Sequence, residues 1–295
     1  MSRMTVATTC MQVMHDKHKN LERMLAWVDQ AADQGARLVV FPEQVLQGYL
    51  FHMRNLYNEQ YDYQYANAET VPDGPCVQCL IQKAEERRIY VVFGMTEQDF
   101  REPDILYNTA VLAGPEGYVG RYRKVHLPMD ELHIYTPGTG FPVFDTAIGR
   151  IGMMICYDKS FPEAARSMVL QGAQILVCPL AWGIRTPEQL DLETDEALRL
   201  YQMYDYIRPT ENMCFYISSN QIYQAREAHY CGHSNIISPY GKLLATTGYQ
   251  EGLCCAEIDV EADMIRARYM AHNGNCPIRE RRPQAYSGKL CGLEE

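Results

Sequence analysis

Short apolar runs that alternate with amphipathic segments mark the first half of the chain. Residues 5–11 and Leu38–Phe41 predict strands, because apolar side chains on both faces are typical of a strand buried within a sheet. Between them, residues 20–36 place apolar side chains on one face at helical spacing, which predicts an amphipathic helix. Residues 75–88 predict a second helix and residues 89–94 another buried strand. The first half therefore alternates helices with strands.

The middle of the chain predicts antiparallel hairpins. Strands at 107–113 and 118–124 flank a glycine-rich turn, and strands at 141–145 and 148–155 form a second hairpin with Gly149 near its turn. The remaining predicted elements are a helix at 163–171, a strand at 175–178, a helix that ends at Tyr206, and strands at 213–219, 234–238 and 253–258. This pattern indicates a mixed-sheet α/β fold. Because no break in composition and no internal repeat is visible, it predicts a single domain.

The composition excludes several kinds of partner. The chain has 295 residues, of which 47% are hydrophobic, and this is enough to bury a large core. A net charge of −10 disfavours nucleic acid and anionic membranes, since lysine and arginine provide most of the affinity for both. The sequence contains no bilayer-length apolar run and no apolar segment of the signal-peptide kind, so we expect a cytoplasmic protein. A small molecule is the expected partner.

No motif predicts a metal or a cofactor. Cys76-x-x-Cys79 lies in a predicted helix without a second cysteine pair, so packing explains it better than metal binding. The cluster His229–His233 lacks the spacing of a zinc site. The sequence also lacks a glycine-rich phosphate loop. The odd number of cysteines, 11, fits reduced thiols better than a disulfide framework.

Cys156 stands between a short apolar strand and the start of a helix. Residues 150–155 predict a strand buried on both faces, and Phe161–Glu163 predicts a helix start with proline in the first turn. A side chain in such a turn is presented at the end of a sheet, beside unpaired backbone N–H groups. This position suits a nucleophile, although free cysteines more often fill space in a core.

Two charged residues also follow predicted strands. Glu43 comes shortly after Leu38–Phe41, and Lys124 ends the strand at 118–124. Taken alone, each is as consistent with a helix cap or a solvated charge as with chemistry. With Cys156 they supply what attack on an unreactive C–N bond requires. The thiolate is the nucleophile, the glutamate accepts its proton, and the lysine stabilises the oxyanion.

At these positions the sequence resembles the nitrilase, or carbon-nitrogen hydrolase, superfamily. Three motifs occur in the family's order, and the resemblance extends from about residue 5 to residue 260. The motifs are Phe41-Pro42-Glu43 with Gly48-Tyr49, Arg121-Tyr122-Arg123-Lys124-Val125-His126-Leu127-Pro128, and Gly152-Met153-Met154-Ile155-Cys156-Tyr157-Asp158 with Phe161-Pro162-Glu163. The second glutamate of the family resembles Glu131, which precedes Pro137-Gly138.

The resemblance implies a role for each motif residue. Glu43 is expected to act as general base and later as general acid, and Cys156 to form the acyl-enzyme. Lys124 and the backbone N–H of Tyr157 are expected to hold the oxyanion. Glu131 is expected to orient the substrate and Lys124.

The resemblance also implies the architecture. It predicts a four-layer α-β-β-α sandwich with mixed sheets, formed by a hydrolase domain over residues 1–268. Members of the family pair sheet to sheet, so a homodimer or a larger homo-oligomer is expected. The C-terminal tail, residues 269–295, is expected to take part in these contacts.

The residues after the nucleophile favour one branch of the family. True nitrilases usually carry Trp-Glu there, whereas this chain carries Tyr157-Asp158, which is similar to amidases and carbamoylases. We therefore expect hydrolysis of a small linear amide with release of ammonia. Hydrolysis of an N-carbamoyl amine or amino acid, with release of carbon dioxide and ammonia, is the close alternative. Nitrile hydrolysis, acyl transfer and a non-catalytic assembly role are less favoured.

The pocket is expected to have an aromatic rim. Tyr49 and the tyrosine-rich segment 57–65 are expected on one side, and Trp182, at the start of the segment 182–195, on the other. Tyr157 completes the expected substrate-binding residues.

Three carboxylates in that last segment leave two readings open. If Asp191, Glu193 and Asp195 face the pocket, they favour an amine-bearing substrate, because opposite charges attract it. If they are solvated loop residues, they leave the preference unchanged. Neutralising all three distinguishes these readings.

Overall fold

A computed structural model describes residues 3–50, 58–184, 195–225, 228–270 and 274–286. The helices of this part of the chain are α1 (Lys17–Asp33), α2 (Asn58–Asn67), α3 (Pro75–Arg87), α4 (Pro162–Leu170), α5 (Glu196–Asn212) and α6 (Val260–Ile265). Among these described helices, none has the length and apolar character needed to cross a membrane.

The first sheet contains the strands that precede Glu43 and Lys124. In spatial order its strands are β15 (Gly252–Ile258), β1 (Met4–Cys10), β2 (Ala36–Val40), β3 (Tyr90–Gln98), β4 (Leu106–Gly114) and β5 (Gly117–Arg123). The strands β1, β2 and β3 run parallel, and the hairpin β4–β5 continues the sheet from β3. Since β4 is antiparallel to β3, the carboxyl ends of β2 and β5 meet the amino end of β4 at one edge.

The second sheet contains the strand that precedes Cys156. In spatial order its strands are β14 (Leu243–Thr246), β13 (Asn235–Ile237), β10 (Phe215–Asn220), β8 (Ile175–Leu180), β7 (Gly149–Met153) and β6 (Val143–Thr146). The strands β7, β8 and β10 run parallel, so their carboxyl ends lie at the same edge. Open α/β sheets commonly bind ligands at such an edge.

Two hydrophobic clusters join the layers. One lies between the sheets and contains Val40 and Leu112 from the first sheet with Ile151 and Leu176 from the second. The other packs α1 and α3 against the first sheet. On the other side of the molecule, α4 packs against β7 and α5 against β10. The four-layer α-β-β-α sandwich is therefore confirmed.

Two predicted helices have different bounds in the structure. The helix predicted at 20–36 is α1 (Lys17–Asp33), three residues earlier at each end, and Ala36 already belongs to β2. The helix α5 does not end at Tyr206 but continues to Asn212, and Pro209 lies inside it. A proline removes one backbone hydrogen bond, which is why it predicts a helix end. Here the last turns are held from outside the helix, because Arg208 is buried and its guanidinium donates to the Lys159 carbonyl at 2.7 Å.

Several short elements were not predicted. They are a three-stranded sheet of β9 (Gly183–Ile184), β11 (Ile222–Ala225) and β12 (Ala228–Cys231), together with β14 and α6. The small sheet lacks the apolar alternation that identifies a strand, and β9 has only two residues. This sheet adjoins the expected pocket rim, because β9 directly follows Trp182. The tyrosine-rich segment forms α2 from Asn58 onward, and Tyr57 lies outside the described residues.

Candidate active site

Glu43, Lys124 and Cys156 lie together at the edge where strands of both sheets end. Glu43 follows β2, Lys124 follows β5 and Cys156 follows β7. The backbone N–H of Glu43 donates to the Leu180 carbonyl at 3.3 Å, which joins the end of β2 to the end of β8 in the other sheet. Glu43 and Lys124 are fully buried, whereas the Cys156 residue is 6% exposed. The site therefore lies at the seam between the sheets, and Cys156 is the least buried of the three residues.

The Glu43 carboxylate accepts hydrogen bonds from three sides. Its Oε1 accepts from Lys124 Nζ at 2.7 Å and from Asn108 Nδ2 at 2.7 Å. Its Oε2 accepts from the backbone N–H of Ala181 at 2.8 Å. The side-chain amide of Gln221 donates to the Glu43 backbone carbonyl at 2.7 Å. These contacts fix both the carboxylate and its backbone in one orientation.

The backbone of Glu43 also passes unusually close to β3. A Cβ atom on Gly94 would lie 2.7 Å from the Glu43 Cα and 2.4 Å from the Gln44 nitrogen. Such distances are shorter than nonbonded contact allows, so position 94 needs a glycine for this approach. The packing of β3 thereby helps to set the position of the candidate base.

A second glutamate holds Lys124 from the opposite side. Glu131 Oε1 accepts from Lys124 Nζ at 2.8 Å and from the Tyr49 hydroxyl. Asn108 Nδ2 lies 3.3 Å from Glu131 Oε2, so one amide bridges the two glutamates. The Lys124 ammonium thus lies between two carboxylates. Burial lowers the pKa of Lys124, but Glu131 and Glu43 outweigh it and leave this pKa well above its ordinary value.

Cys156 lies in a turn with unusual backbone geometry. Its φ of 46° is in the left-handed region, which non-glycine residues rarely adopt. The buried Asp158 carboxylate stabilises the turn by accepting from the Ile155 N–H at 3.0 Å, the Tyr122 hydroxyl at 2.6 Å and the His126 N–H at 3.0 Å. The His126 ring bonds to the same carboxylate at 2.8 Å. His126 is therefore a hydrogen-bonded residue that supports this turn.

Burial and charge both disfavour a resting thiolate. Burial raises the pKa of Cys156 well above its ordinary value, and the Glu43 carboxylate adds to this increase. Lys124 and the Ala181 N–H act in the opposite direction without reversing the shift. The thiol is therefore protonated at neutral pH and needs a base as it attacks. Glu43 is the charged neighbour with the largest influence on this thiol, which fits that task.

The candidate nucleophile opens into a cavity of about 570 Å³. Tyr49, Tyr157 and Trp182 line it, together with Leu127, Pro128, Met129, Ala181, Gly183, Glu196, Ala197 and Leu200. A mainly apolar cavity with a few polar groups is typical of a site for a small molecule. Among the described residues that line it, Glu196 is the one acidic or basic side chain.

Asp195 is the one described residue among the three carboxylates of the acidic segment. The Asp195 carboxylate caps α5, accepting from the Leu198 N–H at 3.0 Å, and the residue is buried. Asp195 is therefore a buried helix cap, so both the pocket-facing and the solvated reading are wrong for this residue. Asp191 and Glu193 lie outside the described residues.

The described residues contain no group of three or more His, Cys, Asp or Glu side chains arranged to hold a metal ion. The cysteines that the structure describes, including Cys76 and Cys79, are free thiols.

The structure brings Glu43, Lys124, Glu131 and Cys156 together and places Tyr49, Tyr157 and Trp182 around them. Sequence reasoning missed Asn108, which touches both glutamates. The available signal is an amide side chain near the start of a mainly apolar strand. The Ala181 N–H leaves no signal in the sequence, because a backbone donor is available at almost any residue.

We expect catalytic efficiency to rise with pH through about 7, because burial raises the pKa of Glu131 to about 7. Above this pKa the side chain is a carboxylate and accepts from Lys124 and Tyr49; below it, protonation removes one counter-charge of Lys124. The measurement is kcat/KM from pH 5 to 9 for the wild type and Glu131→Gln. The variant should be slower and lack this titration. If Glu131→Gln shows the same rise of kcat/KM with pH, the titration belongs to another group.

Comparison with known proteins identifies similar chains over almost the whole length. A family model described as carbon-nitrogen hydrolase matches residues 5–267. A nitrilase of Pyrococcus abyssi is 33% identical over 244 residues, which cover 82% of this chain and 84% of that protein. The omega-amidase NIT2 of Homo sapiens is 28% identical over 272 residues, which cover 88% of this chain and 90% of that protein.

A solved structure shares the fold at lower identity. It is a mutant of the amidase from Nesterenkonia sp. AN1, which shows covalent addition of the acetamide moiety of fluoroacetamide at its active-site cysteine. It has a TM-score of 0.73 and 22% sequence identity, and the match covers 95% of this chain and 94% of that one. At this identity the similarity shows the fold.

Proposed function

This chain belongs to the carbon-nitrogen hydrolase family, and from this premise we propose that it is a cysteine-dependent amidase. Its reaction is the hydrolysis of a small-molecule amide, with release of ammonia through an acyl-enzyme on Cys156. The observation that carries the proposal is the buried contact of Lys124 with both Glu43 and Glu131 beside the thiol.

The first half of the reaction forms the acyl-enzyme. Glu43 takes the Cys156 proton while the sulfur forms a bond to the amide carbon. The carbonyl oxygen becomes negative, and the Lys124 ammonium with the Tyr157 N–H stabilises it. As the C–N bond breaks, Glu43 returns the proton to the nitrogen, and ammonia leaves.

The second half of the reaction hydrolyses the acyl-enzyme and releases the carboxylic acid. Glu43 takes a proton from a water molecule as that water attacks the thioester carbon. When the C–S bond breaks, the sulfur regains a proton and the carboxylic acid leaves. In this scheme Glu43 alternates between base and acid, which fits its bonds to Lys124, Asn108 and Ala181 in one fixed position. Glu131 keeps Lys124 in place throughout.

Ammonia release from a panel of primary amides, N-carbamoyl amines and nitriles tests the proposal. We expect turnover of amides; carbon dioxide released together with ammonia would instead select N-carbamoyl hydrolysis. An amide turned over only in the presence of an added amine or thiol would indicate acyl transfer. Absence of turnover across the panel would refute the proposed hydrolase. Human NIT2 is named an omega-amidase, which favours the amide branch.

We further propose that the protein is a homo-oligomer that uses the outer face of α5. Leu200, Met203 and Ile207 are 42%, 58% and 45% exposed on this helix, and they line a groove of about 840 Å³. The occupant we propose is a second copy packed α5 against α5, because a two-fold dimer places the same surface of both chains in contact and would cover these apolar side chains on each. This helix-to-helix contact differs from the sheet-to-sheet pairing that the resemblance implies. Light scattering after size-exclusion chromatography gives the mass, and a monomer of 33.9 kDa would contradict the proposal.

A further inference from the structure

A second buried ion pair lies behind the nucleophile turn. Lys159 Nζ is 2.8 Å from Asp205 Oδ1 on α5 and donates to the Tyr201 backbone carbonyl at 3.1 Å. Asp205 Oδ2 accepts from Ser218 at 2.6 Å and from Asn235 at 3.0 Å, so this carboxylate is fully hydrogen-bonded. Neither charged side chain is exposed to solvent. The mechanism proposed above uses neither of them.

This lysine belongs to the same turn as Cys156. The turn Cys156–Ser160 carries the nucleophile at one end and Lys159 near the other. The Lys159 carbonyl accepts from Arg208, a further residue of α5, at 2.7 Å. Both the side chain and the backbone of Lys159 therefore attach the nucleophile turn to α5.

The same ammonium also contacts the wall of the pocket. It lies 3.5 Å from the centroid of the Tyr201 ring and 4.9 Å from that of Trp182, distances at which a cation is attracted to an aromatic face. The Trp182 indole donates to the Ala197 carbonyl at 2.9 Å, and both of these residues line the pocket. Lys159 thus belongs to the nucleophile turn and contacts both α5 and Trp182.

Stability alone is a weak explanation for this arrangement. Desolvation of two charges offsets much of their attraction, so an apolar pair of similar size is often as stable as a buried ion pair. A charged lysine does, however, provide directed contacts to a carboxylate, a carbonyl and two rings at once. An apolar side chain provides none of these.

We infer that Lys159 is a positioning residue that fixes Trp182 and the start of α5 relative to Cys156, and so determines which acyl groups fit. This inference rests on the proposed amidase function. It concerns the acyl side of the substrate, since Lys159 touches the pocket wall and not the Glu43–Lys124–Glu131 group.

The test compares Lys159→Met with Lys159→Met/Asp205→Asn. The single change leaves a buried carboxylate without its cation and should destabilise the fold strongly, whereas the double change removes both charges and should recover most of the stability. The double variant should still show KM raised on the order of tenfold for an amide with a bulky acyl group, with kcat changed much less. A short-chain amide should be affected least. If KM recovers together with stability, the positioning role is refuted.

A control and a second readout make the result specific. Lys17→Met/Glu69→Gln removes an ion pair of 3.0 Å that does not line the pocket, and it should leave KM unchanged. The chain has two tryptophans, so a Trp27→Phe background reports Trp182 alone. In that background, iodide should quench Trp182 more strongly in the double variant.

This fluorescence readout does not depend on turnover. If the wild type hydrolyses no amide but quenching changes as expected, the proposed function fails and the positioning of Trp182 stands. If amides are hydrolysed but both quenching and KM are unchanged in the double variant, the inference fails and the proposed function stands.

Discussion

Replacement of Cys156 by alanine is expected to lower ammonia release by about 10⁴-fold or more, because it removes the atom that forms the acyl-enzyme. Lys124 and the backbone donors remain and still polarise an amide carbonyl. Without sulfur, however, water must attack an unactivated amide in a site arranged around a thiol. The measurement is kcat/KM for the best amide of the panel, together with mass spectrometry of wild-type protein during turnover. An acyl adduct is expected on the peptide that contains Cys156.

Cys178→Ala is the matched control for this prediction. Cys178 is buried in β8, the strand next to β7, and it does not line the pocket. Loss of its sulfur should lower stability by about 1 kcal/mol and leave kcat/KM close to the wild-type value. Amide hydrolysis that survives in Cys156→Ala would contradict the acyl-enzyme. Equal losses in both variants would indicate a general effect of thiol removal on the fold.

Much of the site could be predicted because its residues follow buried strands. The apolar segments before Glu43 and Cys156 are readable from sequence, and parallel strands bring their carboxyl ends to one edge. Charged or thiol side chains just after such strands then point to a shared site. The same reasoning predicts the α/β class. Here the pattern of apolar positions and the fold agree, since β2 and β7 are buried on both faces.

The remaining features depend on strand register and on contacts between distant parts of the chain. Asn108 touches both glutamates because β4 begins at the edge where β2 and β5 end, a relation that no local pattern specifies. The role of Asp195 as a helix cap depends on where α5 begins. Lys159 follows the family motif closely, yet its partner Asp205 lies 46 residues further along the chain. A sequence shows these polar residues without showing their partners.

Glu43→Gln is expected to lower kcat/KM for amide hydrolysis by about 10²- to 10⁴-fold, the usual contribution of a general base. A glutamine keeps the size of the side chain and one acceptor oxygen, so contacts to Lys124 and Asn108 are largely retained. It can neither take the thiol proton nor return it to the leaving nitrogen. The measurement is kcat/KM together with the rate at which iodoacetamide alkylates Cys156.

The two rates should respond in opposite ways. The Glu43 carboxylate contributes to the raised pKa of Cys156, so its neutralisation lowers that pKa and increases the thiolate fraction at a given pH. Alkylation, which starts from the thiolate and transfers no proton to its leaving group, should therefore persist or become faster while hydrolysis collapses. A misfolded site would lose both. If Glu43→Gln hydrolyses amides and reacts with iodoacetamide as fast as the wild type, Glu43 is not the general base.

Glu97→Gln provides the matched comparison for the buried carboxylate. Glu97 is a fully buried glutamate on β3 whose Oε1 lies 2.7 Å from Arg121 and 2.6 Å from Arg123. Neutralising it breaks ion pairs outside the site and should lower stability without changing kcat/KM. Both variants neutralise a buried glutamate, which lies just after β2 in one case and within β3 in the other, so only the position of the charge distinguishes them. Loss of hydrolysis confined to Glu43→Gln therefore assigns the proton transfer to Glu43 itself.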